Sequence, residues 1–398
     1  MAQKKIPYLQ VVKPPEDMKE VKKKARKFRG EKLKRMLVPV ILAALAVCGT
    51  YLLLDNEAYG QARTAAGYKS ELSDTNSYAR FSNGIVRYNR DGVVFLNRQN
   101  EEKWIYPAQL QNPVIKVRKD AFAVADNGGN TILVFTEDGI KGEIETTLPI
   151  ESFTVSDQGI VSAILRNETS PMIISYDATG NILVEQQVTL NNTGYPTALE
   201  LSDDGNLLAV SYLYTKGTAL GSRVVFYNFG ETGKEKTDNI VASEEYADTL
   251  MADIFCIGGG RMVVVGDNSF VIYRGNDVPE KETEVSLNQE IQSVFHSDRY
   301  FGMILLNKEK SGYEVRLYDR TGNQVMSREI SGEYDHAVID GDEILLYDGP
   351  RICIIKANGI VKFQGELDAE VMEMFCAAGL NRYYVMSVNE LSVIYLTK

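Results

Sequence analysis

Histidine occurs twice and tryptophan once in 398 residues, and there are four cysteines. His296 and His336 sit in separate segments, "SVFH" and "YDHAV". Both read as strand-end residues rather than as members of a catalytic or zinc-binding group. Cys48 lies in a long apolar run, and Cys256, Cys353 and Cys376 each lie in an apolar, strand-like stretch. With no CxxC spacing they read as buried thiols, not as a disulfide framework or a redox site. GxSxG, HExxH, P-loop and Rossmann signatures are all missing. "NGGN" (127–130) and "GGGR" (258–261) are too short, and too embedded between strands, to cradle a phosphate. No metal and no cofactor is implied, and the balance lies against an enzyme.

Charge is abundant but unevenly placed. Residues 1–35 hold 13 Lys/Arg against 4 Asp/Glu, a net of +9 in a chain of net −11. The remainder therefore carries −20, from 30 basic and 50 acidic side chains. Between the two lies "MLVPVILAALAVCGTYLLL", Met36 to Leu54, without a charged residue in 19 positions. A helix rising about 1.5 Å per residue would cover roughly 28 Å there, against about 30 Å of bilayer hydrocarbon. Pro39 then falls in the first turn, where its missing N–H costs little. A cleaved signal peptide, or a lipoprotein signal lipidated at Cys48 in "LAVCG", would need a much shorter leader. The run reads as an uncleaved signal anchor, a single transmembrane helix. The positive-inside rule keeps the basic end in the cytoplasm and sends residues 55–398 outside the cell membrane. The basic leader reads as a topology determinant. The acidic remainder repels phosphate, which argues against nucleic acid as its partner.

From about residue 78 the pattern becomes short β-branched or aromatic runs, such as "GIVRYN", "TILVF" and "MIISY", separated by Gly, Asn and Asp. This is the signature of an all-β region. "IISYDATGNILVE" (173–185) has a near twin in "VRLYDRTGNQVMS" (315–327). Its motif, an apolar strand ending in a large residue before a turn, recurs at Phe95, Phe135, Tyr176, Tyr227, Tyr273, Tyr318, Ile355 and Tyr395. Periods of about 40–45 residues with four strands each predict a β-propeller. Eight blades are expected, or seven if one marker in the ragged region 230–250 is a decoy. The implied organisation is a basic segment (1–35), a transmembrane helix (36–54), a linker (55–72) and the propeller (73–398). Only three residues follow Tyr395, so the last blade lacks an outer strand. "SDTNSYARF" (73–81) is the expected donor, with Tyr78–Phe81 pairing with Leu391–Leu396 and leaving no free edge.

"NGIVRYNRDGVVFLN" (83–97), "QNPVIKVRKDAFAVADNGGNTILVF" (111–135) and "GYPTALELSDDGNLLAVSYL" (194–213) resemble an uncharacterised clostridial-type Firmicutes family of unknown function. "LPIESFTVSDQGIVSAIL" (148–165) and "VVFYNFGE" (224–231) fit the same pattern. The resemblance runs from about residue 80 to the C-terminus. It implies a membrane-anchored, WD40- or quinoprotein-like propeller in a Gram-positive cell envelope, and it brings no activity and no binding residue.

Propeller enzymes leave traces that this chain lacks. One tryptophan, Trp104, cannot supply the repeated docking motifs of quinone-dependent dehydrogenases, and no sialidase-type Ser-x-Asp-x-Gly-x-Thr-Trp box is present. The turn acids Asp177, Asp203, Asp204 and Asp319 are explained by Asp bonding its own following backbone. Unequal loops are the better clue. "YLYTKGTALGSR" (212–223) is long where the corresponding loops are tight, and carries Tyr212, Tyr214, Lys216 and Arg223. Its neighbour "LNNTGYP" (190–196) offers Asn191, Asn192 and Tyr195. Aromatic, amide and cationic groups together suit contact with a protein or glycan. The expected function is a binding or scaffolding module for a cell-envelope protein or glycan. The alternative is an envelope hydrolase or lyase with carboxylates in the central channel, to be favoured by three or more inward Asp/Glu at one end of the axis. Protease added to intact, wall-stripped cells is expected to spare only a short N-terminal fragment. Full protection of residues 55–398 would overturn this topology.

Overall fold

A computed structural model describes residues 18–69, 76–167, 170–190, 193–216, 218–307, 312–388 and 390–398. The chain divides into two compact units, Met1–Glu57 and Ala58–Lys398. In the first, one helix runs from Met18 to Asp55. It starts well before Met36 because Lys, Arg, Ala and Leu, all good helix formers, fill the leader. Pro39 is consequently inside the helix rather than in its first turn. Leu37–Asp55 is long and apolar enough to cross a membrane.

The second unit is an eight-bladed β-propeller. Eight four-stranded antiparallel sheets follow one another: residues 77–107, 113–145, 150–187, 195–247, 251–286, 290–330, 336–366, and a last sheet from 373–397 completed by Gln61–Lys69. We number these blades 1 to 8 and name their strands A (innermost) to D (outermost). The A–B and C–D turns of every blade lie at one end of the channel, and the B–C and D–A connections at the other.

All eight sequence markers fall on the C strands. In seven blades the pairing of C with D slips by one residue at or beside the marker, as at Tyr176 and Tyr318. That bulge increases the local twist just before the D strand leaves the ring. The twin hairpins owe their likeness to the C–D turn. Asp177 Oδ1 accepts the N–H groups of Thr179 (2.8 Å) and Asn181 (3.0 Å), while Gly180 takes φ +91°. Asp319 repeats this with Thr321 (2.8 Å), Asn323 (3.0 Å) and Gly322 at φ +85°. The hydrogen bonds from Asn181 and Thr179 draw the Asp177 carboxyl down to about 2.

Blades pack face to face, so the core is eight apolar clusters among the described residues, one at each junction. Both faces of a blade are buried, and the middle strands are accordingly mostly apolar: Phe122–Asp126 and Val161–Leu165 are buried at every position, Asp126 and Ser162 being their polar members. Trp104 fills the junction of blades 1 and 2. Its ring stacks on Phe135 at 5.3 Å, and its Nε1 donates to the Glu137 carbonyl at 2.9 Å.

The closing strand corrects the sequence reading. Closure does join the two ends, but the donor is Gln61–Lys69, paired antiparallel with Glu390–Thr397. The expected linker 55–72 thus contains a strand of the propeller. Ser77–Phe81 is instead the A strand of blade 1, paired with Gly84–Tyr88. Tyr78 and Phe81 are buried, as an innermost strand requires, whereas "QARTAAGYK" has the small and polar side chains of a strand facing solvent. Tyr59 fastens the entry: its N–H donates to the Lys362 carbonyl (2.8 Å) and its hydroxyl accepts from Asn381 (2.5 Å).

Deleting residues 58–69 is expected to lower the unfolding midpoint by about 5 °C or more, given the roughly 2–4 °C per kcal/mol typical of larger domains. Thermal melts monitored by circular dichroism would check this, and an unchanged midpoint would show the closing strand to be dispensable.

Candidate functional site

Two regions compete for the role: the long connection of blade 4 and the central channel. The first is not a loop. Leu207–Lys216 and Ala219–Asn228 are ten-residue strands paired to their ends, Lys216 with Ala219. The equivalent strands of blades 3 and 5 have five or six residues. Strand A of blade 4 reaches only Leu213 and strand D only Gly221, so the hairpin tip projects beyond its own sheet.

This rearranges the predicted site. Tyr212 is 1% exposed, and its hydroxyl shares a 2.7 Å hydrogen bond with that of Tyr227 between blades 3 and 4. It is a core residue, because alternation along the strand turns it inward. Tyr214 is half-buried beneath the Arg223 guanidinium, 5.4 Å from its ring centre, and Arg223 is bonded to Glu245 at 2.6 Å. Tyr195 stands at the start of strand A, donating to Glu151 at 2.6 Å; burial and Glu151 push its hydroxyl up to about 12. Lys216 ends the strand before the tip. Asn191 and Asn192 lie outside the described residues.

Sequence reasoning missed the apolar residues at this end. Leu220 on the hairpin is 56% exposed, Leu250 in the next D–A connection 42%, and Leu190 in the preceding one 45%. Leu220 and the 248–250 segment are tied together, the Asp248 N–H donating to the Leu220 carbonyl at 3.1 Å. With Tyr195 and Tyr214 they form an apolar and aromatic rim on one end of the propeller. An isolated leucine in a polar segment carries no periodic signal, so only the fold could gather these.

The channel holds a cavity of about 840 Å³ lined by residues of all eight blades. Arg118 of blade 2 crosses it. Its guanidinium bonds Glu200 and, at 2.5 Å, Asp203 of blade 4, with Asp157 of blade 3 at 3.8 Å. Glu200 also accepts from Thr154 at 2.7 Å. On the far side Asp340 of blade 7 bonds Arg80 of blade 1 and accepts the Cys376 N–H of blade 8 at 2.8 Å. The inward carboxylates that were to favour an enzyme are therefore present in number. Most are bound to arginines as ties between blades, which is a structural use of charge rather than a facing acid–base pair.

Most of these groups line an open channel, yet protein surrounds them, and burial opposes charge of either sign. It raises Glu200, Asp157 and Asp253, and it pulls His296 down to about 4, helped by Arg118 and Lys116. His296 is neutral at pH 7, its ring stacked 4.2 Å from that of Phe255. Burial pushes Glu373 up to about 7 against the pull of the Tyr347 hydroxyl, which donates to it at 3.0 Å. Among the described residues no group of three or more His, Cys, Asp or Glu could hold a metal ion.

Comparison with solved structures places the fold among propellers. BamB from Moraxella catarrhalis superposes with a TM-score of 0.51 at 13% identity, covering 84% of this chain and 100% of its own. Apo AztD from Citrobacter koseri reaches 0.49 at 11% identity, covering 74% and 87% respectively. No curated protein matches the sequence. The profile of a family of unknown function, DUF5711, matches residues 55–396.

Glu373 makes the channel testable. Its carboxyl is harder to ionise folded than unfolded, so the stability it contributes is present below about 4.5 and is lost as pH rises through about 7. The Glu373→Gln protein is expected to lack that loss, gaining at most about 3 kcal/mol over the wild type at pH 8. Urea denaturation of both proteins at pH 5 and pH 8 measures the difference; parallel pH dependences would refute it.

Proposed function

Because the chain belongs to DUF5711, a family of unknown function, its role must be read from its own surface, and we propose that it is a membrane-tethered docking propeller for a cell-envelope protein. The observation that carries this reading is the projecting blade 4 hairpin with Leu220 at its tip and Leu190, Tyr195 and Leu250 around its base. Apolar and aromatic residues gathered on one end of an acidic domain form the core of a protein interface, with Arg223, Glu245 and Glu151 as its polar rim. A protein partner fits this rim better than a glycan, since the exposed groups there are mainly leucines. The helix Leu37–Asp55 supplies the anchor, with the +9 leader on the cytoplasmic side and the propeller outside.

A second reading, a hydrolase or lyase working in the channel, rests on Glu373 alone. Its elevated carboxyl would suit a general acid near neutrality. Nothing in the Arg118 and Arg80 networks supplies it with a free second carboxylate.

A photo-crosslinking residue at position 220 of the full chain, activated in native membranes, is expected to join one envelope protein. In that same crosslinking background, Leu190→Asp/Leu250→Asp should abolish the adduct while leaving the melting midpoint within about 2 °C, as surface substitutions generally do. Lys103→Ser, on an outer strand, should leave it intact. An adduct that survives the double substitution would overturn the docking site.

A further inference from the structure

The channel mouth at the A–B and C–D end, opposite the docking rim, collects cations that the inter-blade ties do not use. Arg299 lies in the A–B turn of blade 6, Arg320 in its C–D turn, and Lys119 in the A–B turn of blade 2. All three are exposed and all line the 840 Å³ cavity. Among the described residues none has a carboxylate within 4.0 Å, whereas Arg118 beside them is saturated by Glu200, Asp203 and Asp157. In a ring of eight, blades 2 and 6 face each other across the axis.

The two blade 6 cations pack against neighbouring groups at the mouth. Arg320 Nη1 lies 3.5 Å from where a Cβ on Gly258 would stand, and 3.6 Å from one on Gly259. These are ordinary van der Waals separations, so Arg320 packs against the "GGGR" turn of blade 5 at the mouth. The Arg299 guanidinium lies over the Tyr300 ring, its central carbon 5.5 Å from the ring centre, which restrains the side chain at the mouth. Ser297 and His296 line the same wall. His296 is uncharged at pH 7, so it offers a ring N–H without adding a competing ion. Of the cavity's carboxylates, Asp157 and Asp203 are held by Arg118, Asp340 by Arg80 and Glu373 by Tyr347; Asp298, exposed in the blade 6 turn, stands against the cations.

We propose that this mouth binds a small anion, a carboxylate or a phosphate, clamped by Arg299 and Arg320 on one wall and Lys119 on the other. Guanidinium groups pair with both kinds of oxyanion in bidentate fashion, and the walls exclude part of the water that would otherwise screen them. A propeller of net charge −18 (residues 58–398, 30 basic and 48 acidic side chains) repels anions elsewhere on its surface, which makes three uncommitted cations in one concavity a selective feature.

The test is isothermal titration of the full chain in detergent micelles at low salt, with inorganic phosphate and with succinate as separate probes. Arg299→Ser/Arg320→Ser is expected to weaken binding by about tenfold or more, and Lys119→Ser by several-fold, with Lys103→Ser as an unaffected control. Binding of one probe and not the other would identify the oxyanion class. Melting midpoints are read on every variant, and Arg299→Lys/Arg320→Lys, which keeps the charge and the fold, should retain part of the affinity. No heat with either probe, or affinities that ignore the Arg299, Arg320 and Lys119 substitutions, would overturn the site.

Discussion

Everything in this molecule depends on the ring being closed. A propeller blade is a sheet with two apolar faces, and it is stable only when a neighbour covers each. Seven junctions are supplied by the order of the chain; the eighth must be made by bringing its ends together. There Tyr78, Ile85 and Leu96 of blade 1 meet Phe375, Tyr384, Met386 and Leu391 of blade 8, all buried. Gln61–Lys69 then covers the outer edge of Glu390–Thr397, so the two ends of the domain share one sheet. The charged ties inside the channel serve the same end, since Arg118 and Asp340 each join three blades.

The ring was legible because its repeat is written in strong local chemistry. An aromatic or branched residue closing the C strand, then Asp or Asn and Gly in the turn, is a signal confined to a few adjacent residues. It found every C strand, down to Tyr395, where no Asp-Gly or Asn-Gly turn follows. The closing strand escaped because "QARTAAGYK" has little strand preference of its own; it is a strand because the edge at 390–397 orders it. Tyr78–Phe81 looked like the better donor for the very reason that it belongs deeper inside.

The candidate sites were less legible, and for a different reason. "TKGTALGS" contains no alternation that distinguishes a loop from a hairpin outrunning its sheet, and Tyr212 was placed at a tip when it belongs to the core. Arg118, Asp157 and Asp203 lie some 40 residues apart in sequence, one per blade, and meet only because a ring puts every A strand against one axis. Leu190, Leu220 and Leu250 are brought together by the same geometry at the opposite end.

The position of the lock also sets a clock on biogenesis. Residues 61–69 are among the first of the propeller to be synthesised, and their partner, 390–397, is among the last. At about 5–20 residues per second, the ribosome separates the two by on the order of 20–60 s. During that interval earlier blades can stack, but the terminal faces stay open and the first strand has nothing to pair with. Final closure consequently waits until residues 390–397 have been made, and a propeller cut short by even that strand has no means of reaching it.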